Sequence, residues 1–191
     1  MKFDANGWVS GVRRIASPNC DVRPPGSTIN LLVIHNISLP PGEFGGAAIT
    51  RLFTNTLDTA AHPYYAQLEG MKVSAHFLIR RTGEIIQFVP CNKRAWHAGA
   101  SLWRERPACN DFSLGVELEG SDSVPFSDQQ YAALIQLTRR LQRAYPIRDI
   151  AGHADIAPGR KTDPGPCFDW PRYLAAASAA YFPPWAPGPD G

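Results

Sequence analysis

The apolar run Leu31-Leu32-Val33-Ile34 is strand-sized, rich in branched side chains and closed by His35. Continuous rather than alternating hydrophobicity predicts a strand over Leu31 to His35 that is buried on both faces. The stretch that follows, Asn36 to Gly46 (N-I-S-L-P-P-G-E-F-G-G), holds two prolines and three glycines and predicts a loop. Loops launched from buried strands often carry function. Alternation predicts a strand over Ser74 to Arg81, a turn at Thr82-Gly83 and a hairpin partner over Glu84 to Val89. Ser113 to Glu119 alternates as well: Leu114, Val116 and Leu118 share one face, and Gly115, Glu117 and Glu119 share the other.

The period lengthens after Ser127-Asp128-Gln129-Gln130, a capping-box signature. Tyr131, Leu134, Ile135, Thr138 and Leu141 recur at helical spacing, and Pro146 follows the end. Shorter signals predict a strand over Gly7 to Ile15, helices over Ala47 to Leu57 and Tyr64 to Gly70, and a strand end over Ile150 to His153. Trp96 to Arg106 reads as irregular. Asp169 is expected to cap a last helix, with Pro171 in its first turn, running to about Ala180. The mixture predicts an α/β (α+β) fold, a single domain over residues 1–182 with a mixed central sheet and helices on both faces. The Pro/Gly-rich segment 183–191 is expected to be a disordered tail.

Composition narrows the partners. The 191 residues suit one domain, and 19 Lys+Arg against 17 Asp+Glu leave a net charge of +2. That charge, without any basic run, argues against nucleic acid. No stretch approaches the ~18 apolar residues of a membrane span, so no membrane partner is expected. Asp4 and Asn6 interrupt the position of a signal-peptide core, so a cytoplasmic location is expected. Cys20, Cys91, Cys109 and Cys167 form no C-x-x-C pair and read as free thiols. The absence of heptads makes a monomer the default.

Two of the five histidines, His35, His62, His76, His97 and His153, occupy special positions. His35 ends the buried strand beside the Gly/Pro loop, and His153 follows the apolar pair Ile150-Ala151. Asp163 stands ten residues after His153. Two His and one carboxylate make a three-ligand set that leaves a fourth zinc position open. By spacing alone, a core His153 and a turn-capping Asp163 explain the pattern equally well. Glu117 reads either as a carboxylate facing a polar cleft or as a salt-bridged, solvent-facing strand residue. Lys161 reads either as a charge stabiliser beside Asp163 or as an ordinary surface lysine.

Several blocks then act together: Leu32 to Gly46, Val73 to Arg81 (V-S-A-H-F-L-I-R-R), Arg94 to Gly99 (R-A-W-H-A-G), Cys109 to Gly120 and Gly152 to Trp170. They resemble the zinc-dependent N-acetylmuramoyl-L-alanine amidases, and within them the cytoplasmic 1,6-anhydro-N-acetylmuramyl type of cell-wall recycling. The resemblance implies an amidase/peptidoglycan-recognition-like sheet with one Zn2+ per chain, held by His35, His153 and Asp163. It implies Glu117 and Lys161 as the catalytic pair and Trp96 and His97 as part of the substrate groove. Asn36 and Tyr64 would flank the metal, and His76 would be structural. The implied reaction is hydrolysis of the amide between the lactoyl group of (1,6-anhydro-)N-acetylmuramic acid and L-Ala, on a small anionic muropeptide. Lys72 and Arg106 would hold its carboxylates, with Arg104 an alternative. The sequence departs from the pattern in placing Lys72 where an Arg is expected and in carrying a thiol, Cys167, near the metal loop. Pro107-Ala108 also separates the basic pair from Cys109-Asn110-Asp111. An exported lytic amidase acting on polymeric peptidoglycan and a non-catalytic muropeptide-binding module are the alternatives.

Overall fold

Leu31, Leu32, Val33 and Ile34 are each 0% exposed. The computed structural model describes residues 2–177. Its strands are β1 (Arg13–Arg14), β2 (Cys20–Val22), β3 (Leu31–Ile37), β4 (Phe77–Ile79), β5 (Ile85–Gln87), β6 (Lys93–Ala95), β7 (Leu102–Trp103), β8 (Arg106–Pro107), β9 (Ser113–Glu119) and β10 (Asp149–Gly152). The helices are α1 (Ala48–Phe53), α2 (Asp128–Ala144), α3 (His153–Ile156) and α4 (Trp170–Ala177), with 3-10 turns at Pro63–Leu68 and Cys109–Asp111. Six strands form one sheet in the order β1-β5-β4-β9-β3-β10. Every pairing in it is parallel except the β4–β5 hairpin.

The alternation in β9 becomes two layers. Leu114, Val116 and Leu118 join Leu32, Ile34 and Phe77 against Tyr131, Leu134, Leu137 and Leu141 of α2 and Tyr173 of α4. Each such buried side chain contributes roughly 1.5–3 kcal/mol. Ser127 begins α2 with the predicted reciprocal bonds, its Oγ accepting from the Gln130 N–H and its own N–H donating to Gln130 Oε1, both at 3.1 Å. On the other face, Leu31 and Val33 pack with Trp103, Phe112 and Ile156. Leu78 and Ile86 pack with Ile49, Leu52 and Phe53 of α1. The candidate site borders the second of these clusters, with Leu52 and Phe53 in its lining.

Several boundaries differ from expectation. The strand from Leu31 runs two residues further, to Ile37, because β9 stays paired with it to Glu119, although β10 ends opposite Ile34. Within Gly7 to Ile15 only Arg13–Arg14 is strand. The helix after Ala47 stops at Phe53, and Asn55 takes a left-handed φ of 58°. The expected helix over Tyr64 to Gly70 is a 3-10 turn over Pro63–Leu68. The expected strand Ser74 to Arg81 narrows to Phe77–Ile79. His153 opens α3 instead of ending a strand. Trp96 to Arg106 contains β7. The Arg172 N–H donates to Asp169 Oδ1 at 3.0 Å, which is the expected cap of α4. The stretch to Ala180 and the expected tail 183–191 lie outside the described residues.

Candidate metal centre and cleft

Sheet register assembles the site. In the parallel pair β3–β9, His35 lies opposite Glu117. In β10–β3, Gly152 lies opposite Ile34, so the next residue, His153, emerges level with His35. Asp163 is tied to this point by its own carbonyl, which accepts the Ala154 N–H at 2.9 Å. Gly152 is needed here: a Cβ on it would come within 2.7 Å of Pro164 Cδ, which follows Asp163.

Three donor atoms converge as a result. His35 Nδ1 lies 3.0 Å from His153 Nδ1 and 3.0 Å from Asp163 Oδ2, and His153 Nδ1 lies 3.1 Å from Asp163 Oδ2. Ligand atoms bonded to zinc at about 2.0–2.2 Å in a tetrahedral shell stand ~3.3–3.6 Å apart. The observed triangle is within a few tenths of an ångström of that, so these residues fit such an ion. The outer ring nitrogens support the fit. His153 Nε2 lies 3.1 Å from the Ala98 carbonyl, which only accepts, so the neutral ring keeps its Nδ1 lone pair for the centre. Burial pushes His35 down to about 4, against the pull of its bond to Asp163, and keeps the ring neutral as a metal ligand must be. Burial raises the Asp163 carboxyl, but bonds from His153 and His35 outweigh it and hold the group below the ordinary carboxylate range.

Beside the triangle lies a cleft of about 530 Å³, lined by Asn36, Tyr64, Trp96, His97, Glu117, Lys161 and Asp163, among others. Glu117 reaches it from the sheet. Among the described residues its Oε2 has no hydrogen-bond partner, and burial, then the Asp163 charge, push its carboxyl well above the ordinary value while Lys161 opposes them. Glu119, two residues along the same face, is the opposite case. It accepts from Arg80 at 2.8 Å, the Gly45 N–H at 2.7 Å and the Arg81 N–H at 3.2 Å. Neither carboxylate is the salt-bridged, solvent-facing residue weighed for Glu117: Glu119 is salt-bridged but buried. Lys161 is exposed on the cleft rim. Asn36 donates to Asp122 Oδ1 at 2.7 Å and to the Pro164 carbonyl at 3.0 Å.

Two predicted substrate residues stand elsewhere. Lys72 lines a separate cavity of about 190 Å³ with Asn55 and Met71. Arg106 stacks on Phe112, 3.8 Å from the ring centroid, and donates to Asn30. Arg104 pairs with Asp149. His76 is buried in the sheet, where its Nδ1 accepts the Gly115 N–H, in keeping with a structural role. Cys91 and Cys109 are buried free thiols, and Cys20 and Cys167 are half-buried ones. Sequence reasoning passed over Arg160, which donates to the Ala98 and Ala100 carbonyls at 2.7 and 2.6 Å. Its place directly before Lys161 was the available signal. Asp122 was passed over too, and nothing local marks it.

Residues 25–166 match the family model described as N-acetylmuramoyl-L-alanine amidase. The chain belongs to that family. This amidase is 56% identical over 174 residues to the 1,6-anhydro-N-acetylmuramyl-L-alanine amidase AmpD of Escherichia coli (strain K12), covering 90% of this chain and 95% of that one. A crystal structure of a selenomethionine AmpD derivative superposes with a TM-score of 0.89 at 54% identity, over 92% of this chain and 99% of that one. The amidase AmiD from E. coli, solved in complex with the substrate anhydro-N-acetylmuramic acid-L-Ala-D-gamma-Glu-L-Lys, is 31% identical with a TM-score of 0.60, over 83% of this chain and 62% of that one. The amidase therefore shares the family's mixed sheet flanked by helices. Among the described residues, no helix is long and apolar enough to cross a membrane.

Proposed function

We propose that this amidase hydrolyses the amide between the lactoyl group of 1,6-anhydro-N-acetylmuramic acid and the L-Ala of its stem peptide, as a cytoplasmic, zinc-dependent monomer acting on small anionic muropeptides. The observation that carries the reading is the 3.0–3.1 Å triangle of His35, His153 and Asp163 beside the unpartnered carboxylate oxygen of Glu117. Zn2+ held by those three residues supplies the Lewis acidity that polarises a carbonyl and acidifies water. Glu117 is the general base that takes a proton from the attacking water and returns it to the leaving amine. Its Oε2, without a hydrogen-bond partner among the described residues, has no competing donor to break. Lys161 places a positive charge at the rim, where negative charge develops on the substrate oxygen. Trp96, half-buried, offers a face for a sugar ring, and Asn36 is held in place by Asp122 and the Pro164 carbonyl. Tyr64 lines the cleft as a further contact.

The test is mass spectrometry of products from anhydro-muropeptide, with and without a chelator, alongside intact sacculi. Release of free peptide from the small substrate, lost on chelation and recovered with zinc, is the expected result. Full activity in metal-free protein overturns the mechanism, and efficient release from sacculi favours a lytic role on polymeric peptidoglycan.

A further inference from the structure

The two ligand imidazoles are held from behind by neighbouring residues of one short segment. His35 Nε2 lies 2.9 Å from His97 Nδ1, and His153 Nε2 lies 3.1 Å from the carbonyl of Ala98. The backbone of that dipeptide is fixed in turn by one side chain: Asn110 Oδ1 accepts the N–H of His97 at 3.1 Å and the N–H of Ala98 at 2.9 Å. The far nitrogen of His97, Nε2, lies 3.1 Å from Ser113 Oγ. Strand β9 also makes room for the ring, since a Cβ on Gly115 would stand 2.5 Å from His97 Cγ and 2.6 Å from its Nδ1. Ser113, Gly115 and Glu117 share one face of β9, so a single strand face supplies an anchor, a gap and the candidate base.

We infer that His97-Ala98, clamped by Asn110, is the positioning element that sets the tautomer of both metal-ligating histidines, with His97 accepting the Nε2–H of His35 so that the His35 Nδ1 lone pair faces the metal position. A neutral imidazole has one N–H and one lone pair, so fixing the outer nitrogen as donor leaves the inner one as ligand. His97 Nδ1 is turned toward His35, which makes the residue a support of the metal site and not a substrate contact, although its ring borders the cleft. The inference rests on the zinc reading of His35, His153 and Asp163.

The test measures zinc affinity by competition with a chromogenic chelator, together with ¹⁵N-histidine NMR of the zinc-loaded protein and steady-state kinetics. His97→Leu, which removes the acceptor, is expected to weaken zinc binding by about 10–100-fold. It should also abolish the His35 Nε2–H signal while sparing that of His153. His97→Asn keeps a carbonyl acceptor near the Nδ1 position and is expected to recover part of the affinity. Asn110 does not line the cleft, so Asn110→Leu should weaken zinc binding with KM unchanged; it serves as the second arm if His97→Leu fails to fold. Unchanged zinc affinity in folded His97→Leu or Asn110→Leu overturns the inference. A rise in KM alone in His97→Leu does so too and returns His97 to the substrate groove. Wild-type protein that takes up no zinc overturns the underlying metal reading, an outcome distinct from equal binding by wild type and variant.

Discussion

Replacing Glu117 with Gln separates chemistry from stability. The amide is isosteric, so the packing between Gly115 and Glu119 is unchanged, but it cannot take a proton. General-base catalysis contributes ~10²–10⁴-fold, so kcat should fall by that factor, or about 2.7–5.4 kcal/mol of barrier. Stability should move the other way or not at all. Glu117 Oε2 has no donor to lose among the described residues, and its charged form is disfavoured first by burial and then by Asp163, with Lys161 partly opposing. In metal-free protein the folded state keeps the Glu117 proton above 4.5, the ordinary value that applies once the chain unfolds. The folded state then binds more protons than the unfolded one, so this group's contribution to stability falls as pH climbs from about 4.5 through the folded-state value. In Glu117→Gln that decline is removed, and the gap between the two melting curves should widen with pH. The assays are product release from anhydro-muropeptide, zinc content, and thermal melts of metal-free protein across pH. Turnover within tenfold of wild type, or a Tm several degrees below wild type at neutral pH, would falsify the assignment.

Glu119→Ala should do the reverse. It strips a buried carboxylate from Arg80 and from the Gly45 and Arg81 N–H groups, at ~3–5 kcal/mol. For a chain of this size that lowers Tm by ~6–20 °C in a differential scan, and a loss under 2 °C refutes the argument. Lys161→Met should reduce kcat by ~10²–10³-fold or less, because the residue is exposed, and should leave zinc content unchanged; wild-type turnover rejects its role. Zinc at a hundredfold excess over its Kd should stabilise the metal-free protein by ~2.7 kcal/mol, a Tm rise of ~5–11 °C. An unchanged melting curve on zinc addition counts against a site built from His35, His153 and Asp163.

The parts of this molecule that depend on local pattern were legible in the chain. Residues Leu31 to His35, the faces of β9 and the capping box of α2 each announce themselves through period or spacing, and the structure follows them. The short strands β6, β7 and β8 carry no such signal, because two or three residues cannot establish a period and only cross-chain pairing defines them. The histidine-aspartate triangle was half legible. His35 and His153 both follow apolar strand residues, but only parallel register brings them level. The ring orientation of His97 could not be read at all, since it depends on an empty position at Gly115 and an acceptor at Ser113. Lys72 and Arg106 show the limit from the other side: a cation that suits an anionic ligand says nothing about which way its segment faces.

The parallel arrangement of β9, β3 and β10 has a consequence for how the protein acquires its metal. His35 and His153 are 118 positions apart along the chain, and His35 and Asp163 are 128 apart. An unfolded chain therefore offers no local chelating pair from these two histidines, and loop-closure entropy opposes their meeting until both crossovers are complete. Non-local parallel pairing is the slow part of assembling such topologies. Metal capture then follows folding and cannot guide it: zinc should slow unfolding and leave the refolding rate nearly unchanged. Uptake of the ion becomes a late signal that the last strand has docked against β3.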